Sequence, residues 1–176
     1  MAIMKLLEFP MFRQASPNDC GVIAAQAVLA YFGINLRADY IIKEAGTSTS
    51  GTSVDGIIKV LQDAGLQCDG RVLTIEEIKT SIDQGNPVIV VLQAWCETTK
   101  WEECWTERHY VIIIGYDAHR HYFEDPSSIQ RTFLTLRAFK QRWHDIDDNG
   151  KKYINYGIIV SGKKPEFSYR TFIPLG

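Results

Sequence analysis

The most apolar helical stretch of the chain reads CGVIAAQAVLAYF and covers residues 20–32. Its many alanines and few β-branched residues favour a helix, and apolar side chains fall on nearly every face. Gly33 follows directly and is a typical helix stop. The stretch therefore predicts a helix buried at the centre of the protein, with Cys20 as its first residue.

The segments around this helix predict the rest of the fold. Helical patterns continue at 36–45, from Ile57 to a stop at Gly65, and at 75–84. Thr74 and Glu77 form a capping box at the start of the last of these helices. The pattern then changes to strands interrupted by one helix. The strands are predicted at 87–93, 109–116, 120–125, 153–160 and, as an edge strand, 167–173, with the helix at about 135–144. Helices first and antiparallel strands later predict an α+β fold, with an N-terminal helical half packed on a C-terminal antiparallel sheet.

The composition is that of a globular protein. The 176 residues are 45% hydrophobic and 23% charged, which predicts one domain over residues 1–176 with a sizeable core. Lys and Arg number 19 against 21 Asp and Glu, so the net charge of −2 argues against a nucleic-acid partner. No apolar run reaches the length of a membrane span, and the N-terminus lacks the features of a secretory signal. We therefore expect a soluble, cytoplasmic protein.

The four cysteines, at 20, 68, 96 and 104, are too few for a disulfide scaffold and contain no CxxC pair. A reducing compartment predicts four free thiols, with a Cys96–Cys104 pair only in an exported protein. The acidic stretch 145–150 matches half of a calcium-binding loop, but its twelfth position is Tyr156 instead of Glu. We therefore predict a turn at 145–150, no metal and no cofactor.

Cys20 is the cysteine whose position indicates chemistry. The N-terminus of a helix favours a thiolate, especially when an imidazole lies nearby. His109 is the best candidate base, because it opens the most apolar strand directly after a charged loop. His119 and His121 flank a polar turn and are predicted on the surface, and His144 is predicted at a helix end.

Asp125 is the candidate that would orient His109. The strands 109–116 and 120–125 flank a tight turn, and an odd number of loop residues puts His109 and Asp125 on one face of the hairpin. An even loop, or a bulge, would turn Asp125 away. Asp125 also precedes Pro126, and as an alternative it simply initiates a turn.

Three motifs in this order resemble those of a known family. The stretch from Gln14 to Gly21, the strand 109–115 and the Glu-Asp-Pro at 124–126 are similar to the bacteriocin-processing cysteine peptidases, papain-like domains that remove double-glycine leader peptides. The resemblance covers about residues 10–160, without the ABC transporter to which such domains are often fused. It implies a stand-alone papain-like peptidase domain with a peptide or protein substrate.

The resemblance also implies a role for each site residue. Cys20 is then the nucleophile, His109 the general base and acid, Asp125 the residue that orients His109, and Gln14 a donor to the oxyanion. Two alternatives stay open on the residues alone. One is an acyl- or peptidyl-transferase that uses the same nucleophile, and the other is a non-catalytic peptide-binding domain.

The segment 94–108, AWCETTKWEECWTER, is an unexpected aromatic and acidic insertion before His109. One interpretation is a solvated loop whose tryptophans cover the sheet. The other is a lip over the cleft that prefers extended peptides with basic residues.

Overall fold

The computed structural model describes residues 4–97 and 100–175. Its helices are α1 (Cys20–Tyr31), α2 (Ala38–Glu44), α3 (Val54–Asp63), α4 (Ile75–Asp83) and α5 (Leu136–Arg142), with a 3-10 turn at Trp101–Glu103. Its strands are β1 (Lys5–Leu6), β2 (Gln67–Val72), β3 (Val88–Gln93), β4 (Arg108–Tyr116), β5 (Arg120–Glu124), β6 (Thr132–Thr135), β7 (His144–Ile146), β8 (Lys152–Ile154) and β9 (Tyr156–Ser161).

The main sheet runs in the order β2-β9-β3-β4-β5-β6, with the short β1 added to β4. Every strand pairing among the described residues is antiparallel, and β7 and β8 form a separate hairpin. All six residues of β3 are buried, which explains why its sequence VIVVLQ is apolar without alternation. The α+β fold predicted from the sequence is confirmed.

The helical half packs on this sheet through α1. Ten of the twelve residues of α1 are buried, and the helix contacts β4, α2 and α3. The capping box of Thr74 and Glu77 forms as predicted at the start of α4. Within the described residues, no helix combines the length and apolarity needed to cross a membrane.

Residues 167–173 do not form the predicted edge strand. The N–H of Phe167 bonds the carbonyl of Tyr31 at the end of α1, and the N–H of Tyr169 bonds Oε1 of Glu8, so these two residues contact a helix end and the N-terminal segment instead of a strand of the sheet. The sheet edge is taken by β2, whose sequence QCDGRV carries no apolar alternation because most of its side chains are exposed. Cys68 lies on this edge strand.

Two histidines lie where the sequence did not place them. His121, predicted on the surface, is fully buried and packs against Phe139 of α5, with a ring-centroid distance of 5.1 Å. Proximity to a turn misled the prediction, because His121 shares the inward face of β5 with Phe123. His144 begins β7 instead of ending a helix and is buried, since α5 stops at Arg142.

Candidate active site

Cys20 lies at the first position of α1 and is 7% exposed. The preceding Asp19 adopts helical backbone angles, and its side chain does not cap the N–H groups of the first turn. These N–H groups and the helix dipole therefore act on the thiol of Cys20, where they favour negative charge.

His109 lies near the start of β4, paired with Leu92 of the central strand β3, and is 2% exposed. Its Nε2 atom is 2.7 Å from Oδ1 of Asp125, just beyond the end of β5. The structure thus brings the predicted base and the predicted orienting carboxylate into direct hydrogen-bond contact.

The β4–β5 hairpin brings Asp125 to the histidine by a different route from the one predicted. Tyr116 pairs with His121, so the four residues 117–120 lie between these paired positions, an even number, and β4 has a bulge at Ile114. Each feature alone would turn Asp125 to the other face. Together they shift the register twice by one residue, so the original face is restored. The sequence analysis treated an even loop and a bulge as separate alternatives, each of which would turn Asp125 away, and did not consider that the two together bring the side chains to the same face.

The pKa values of His109 and Asp125 move apart. Burial by itself lowers the pKa of His109, but hydrogen bonds to Asp125 and Cys20 outweigh it and raise this pKa to about 9. Burial likewise raises the pKa of Asp125, but the hydrogen bond from His109 predominates and lowers it to about 2. Near neutral pH the pair is an imidazolium facing a carboxylate. Because Nε2 faces Asp125, Nδ1 is the nitrogen that remains for Cys20.

Asp125 is held in place by neighbours that the sequence analysis missed. The N–H and hydroxyl of Ser127 donate to Oδ1 at 2.9 and 2.8 Å, and the hydroxyl of Thr132 donates to Oδ2 at 3.2 Å. The Asp-Pro-Ser sequence carries a signal for this arrangement, because Asp side chains commonly accept from the backbone N–H two residues later. Asp125 is therefore both the turn initiator and the partner of His109.

Gln14 is joined to the Asp125 segment through its backbone. Its N–H bonds the carbonyl of Pro126 at 2.9 Å, and its side-chain Nε2 donates to the carbonyl of Ser16 at 3.0 Å. An amide group has two N–H donors, so one stays available for a ligand. Its Oε1 is buried without a partner among the described residues.

A buried ion cluster lies behind this loop. Glu124, next to Asp125 and 1% exposed, forms an ion pair with Arg13, next to Gln14. Nε of Arg131 lies 3.6 Å from the other carboxylate oxygen of Glu124. The cluster joins the loop of Gln14 to the strand of Asp125, and charged residues so far apart in the chain gave no sequence signal.

The insertion 94–108 covers one side of His109. The rings of Trp95 and His109 lie 4.8 Å apart, whereas Trp105 packs on His144. Cys96 and Cys104 form a disulfide, so the expectation of four free thiols was wrong and Cys20 and Cys68 are the free cysteines among the described residues. Thr98 and Thr99 of the insertion lie outside the described residues.

The described residues contain no cluster of metal-ligating side chains. Of the predicted turn 145–150, residues 145 and 146 end β7 and residues 147–150 turn towards β8. Asp147 accepts from the backbone N–H groups of Asn149 and Lys151 at 2.9 Å each. The carboxylate is thus used to close a turn.

Several solved structures are similar to the chain. The peptidase domain of Streptococcus ComA, a bi-functional ABC transporter involved in a quorum sensing pathway, is 19% identical with a TM-score of 0.65, over 87% of this chain and 98% of that one. A double glycine motif protease from an AMS/PCAT transporter, in complex with the leader peptide, is 17% identical with a TM-score of 0.67, over 90% and 94%. A putative C39-like peptidase from Bacillus anthracis is 18% identical with a TM-score of 0.68, over 93% and 100%. These likenesses establish the shared fold.

The sequence itself carries the family assignment. No curated protein matches the chain. The sequence model of the Peptidase C39 family matches residues 8–146. This range begins before the loop of Gln14 and ends with the last residue of β7. Since this match spans most of the chain and the fold agrees, the chain belongs to the Peptidase C39 family and is a cysteine peptidase that hydrolyses peptide bonds.

Proposed function

We propose that this peptidase cleaves leader peptides of the double-glycine type with a Cys20–His109–Asp125 triad and with Gln14 in the oxyanion hole. The observation that carries the proposal is the 2.7 Å contact between His109 and Asp125, with the second ring nitrogen left for Cys20. An imidazolium held by a buried carboxylate stabilises a thiolate at the head of α1.

The proposed reaction begins with this ion pair. Sγ of Cys20 attacks the carbonyl carbon of the scissile bond, and Nε2 of Gln14 with the backbone N–H of Cys20 holds the oxyanion. His109 then gives its proton to the leaving nitrogen as the C–N bond breaks. Water, deprotonated by His109, hydrolyses the thioester and releases the acid product.

The substrate class is inferred from the family and its relatives. One similar structure is a double glycine motif protease bound to the leader peptide. Carrying this over predicts that two glycines precede the scissile bond. Hydrolysis is favoured over acyl transfer and over a binding-only domain because the family consists of peptidases. We further propose that the triad acts within a single domain over 1–176, as the sequence predicts. The Cys96–Cys104 disulfide persists in an oxidising environment, which argues against the cytoplasmic location expected from the sequence.

The proposal is tested by labelling with a peptide electrophile that ends in Gly-Gly, without reductant. Cys96 and Cys104 are then paired, which leaves Cys20 and Cys68 to compete for the label. Burial raises the pKa of Cys68 to about 11, so this thiol is expected to react slowly. We expect rapid labelling of Cys20, read by mass spectrometry, that disappears in His109→Ala and persists in Cys68→Ser. Equal, slow labelling of both thiols would contradict an activated Cys20.

A further inference from the structure

A cavity of about 230 Å³ lies beside His109 and Asp125, and both side chains line it. It is bounded by side chains of β3, β4, β5 and β6, by Trp95 and by α5. Most of its lining is apolar, namely Leu92, Ala94, Trp95, Val111, Phe123, Phe133 and Leu134. A cavity of ~150 Å³ lined by such residues holds benzene, so this one has room for an aromatic or large aliphatic side chain.

The position of the cavity relates it to one half of the substrate. Cys20 and Gln14, which act on the scissile carbonyl in the proposed mechanism, do not line it, whereas His109 does. His109 delivers a proton to the leaving amine, so the chain that follows the scissile bond must pass His109. The cavity therefore lies next to the histidine that the first residue of the leaving peptide must pass.

Trp95 forms a fixed wall of this cavity although it is 56% exposed. Its φ of 59° is unusual for a residue other than glycine, and such a conformation persists only where the surroundings enforce it. Cys96, the next residue, is in the disulfide with Cys104, and the N–H of Ala94 bonds the carbonyl of Glu107 at 2.8 Å. The insertion thus holds an exposed indole beside the catalytic imidazole, where a bound side chain would cover it.

The charges on the cavity wall select against a basic occupant. Arg142 lines the cavity, and its guanidinium lies 3.6 Å from the ring centroid of Trp101. Its Nε is buried without a hydrogen-bond partner, and no carboxylate of residues 4–97 or 100–175 pairs with it. His109 adds a second cation and Asp125 one anion, so the lining is net positive. No glutamate of the insertion lines the cavity among the residues described.

We propose that this cavity is a specificity pocket for the residue directly after the scissile bond, that it prefers an aromatic or large aliphatic side chain, and that Arg142 makes it reject Lys and Arg. The proposal rests on the proposed function, because that mechanism places the leaving peptide at His109. It differs from the alternative in which the insertion selects basic peptides.

The test uses four peptides with Gly-Gly before the scissile bond and Phe, Leu, Gly or Lys after it. We expect kcat/KM for Phe and Leu to exceed that for Gly by about tenfold or more, with Lys the poorest. Arg142→Glu should raise kcat/KM of the Lys peptide relative to that of the Phe peptide by about tenfold. The matched control Arg137→Glu, an exposed arginine of the same helix, should leave the ratio unchanged.

A second variant guards against misfolding of Arg142→Glu. Leu134→Trp fills the cavity from the half-buried strand β6 and should lower cleavage of the Phe peptide while sparing the Gly peptide. The pocket proposal would be refuted if the four peptides were cleaved at equal rates. It would also be refuted if neither Arg142→Glu nor Leu134→Trp changed the relative kcat/KM of the peptides.

A binding measurement separates this proposal from the proposed function. Calorimetry of the intact protein with product-like peptides that begin with free Phe or Lys requires no cleavage. Tighter binding of the Phe peptide that is lost in Leu134→Trp supports the pocket, whether or not any peptide is cleaved. If such binding is found but no peptide is cleaved, the proposed function is wrong and the pocket still stands. Equal binding of both peptides refutes the pocket, whatever the cleavage assay shows.

Discussion

Replacing Asp125 with Asn tests the electrostatic coupling at the centre of the site. The substitution keeps the size of the side chain but removes the charge that lies 2.7 Å from His109. The buried imidazolium then loses its main stabilising partner, while the hydrogen bond to Cys20 stays.

The magnitude follows from the pKa of His109. Its value of about 9 lies above the ordinary 6.5, a displacement equivalent to about 3 kcal/mol in favour of the imidazolium. A close opposite charge accounts for ~1–3 pKa units. We therefore expect the pKa of His109 to fall from about 9 to roughly 6–8 in Asp125→Asn, because burial is then opposed by Cys20 alone.

The assay is kcat/KM for a Gly-Gly peptide between pH 5 and 10. The proposed mechanism needs the imidazolium, so activity in the wild type should fall near pH 9, and this alkaline limb should move to lower pH by the same ~1–3 units in the variant. Stability should follow with the same sign. The raised pKa stabilises the folded protein fully below pH 6.5, and this contribution is lost as the pH rises through about 9.

Ser127→Ala is the matched control, because it removes a hydroxyl that donates to Asp125 at 2.8 Å but leaves the carboxylate. Its alkaline limb should stay close to that of the wild type. If the limb of Asp125→Asn also stayed near pH 9, the carboxylate would not be what raises the pKa of His109, and the reasoning would fail.

Three further predictions concern stability and are read from urea unfolding. Both ring nitrogens of His121 lack a hydrogen-bond partner among the described residues, and burial lowers its pKa to about 4. The free energy of unfolding should therefore fall by about 2–3 kcal/mol between pH 7 and 4.5, and His121→Leu should abolish this fall. Glu124→Gln should lower the free energy of unfolding by about 3 kcal/mol, because it removes the buried carboxylate that pairs with the partly buried Arg13 and Arg131. Asp63→Asn, which breaks an exposed pair, should cost less than ~1 kcal/mol, and equal costs would contradict the ion cluster. Replacing both Cys96 and Cys104 by Ser should lower the free energy of unfolding by about 2–3 kcal/mol, and a dithiol reductant should do the same to the wild type. A double variant as stable as the oxidised protein would refute the pairing.

Much of the fold was predictable because its signals are local. The apolar run of α1, the capping box of α4 and the buried strands β3 and β4 are set by side chains within a few residues of one another. The strand β2 was missed, and the segment 167–173 was wrongly predicted as a strand, for the opposite reason. Their conformation depends on whether a partner strand or a helix end is nearby, and their own sequences do not encode this.

The sequence by itself determined the chemical types of the site and their order: a thiol at a helix head, an imidazole at the mouth of a buried strand, and a carboxylate before a proline. Only the tertiary structure decided how they meet. The contact of His109 with Asp125 depends on an even turn and a bulge that compensate each other, and neither leaves a periodic trace in the sequence. The wall formed by Trp95, the stacking of Arg142 on Trp101 and the buried Glu124 likewise arise from contacts between distant segments, which are fixed by packing of the whole chain.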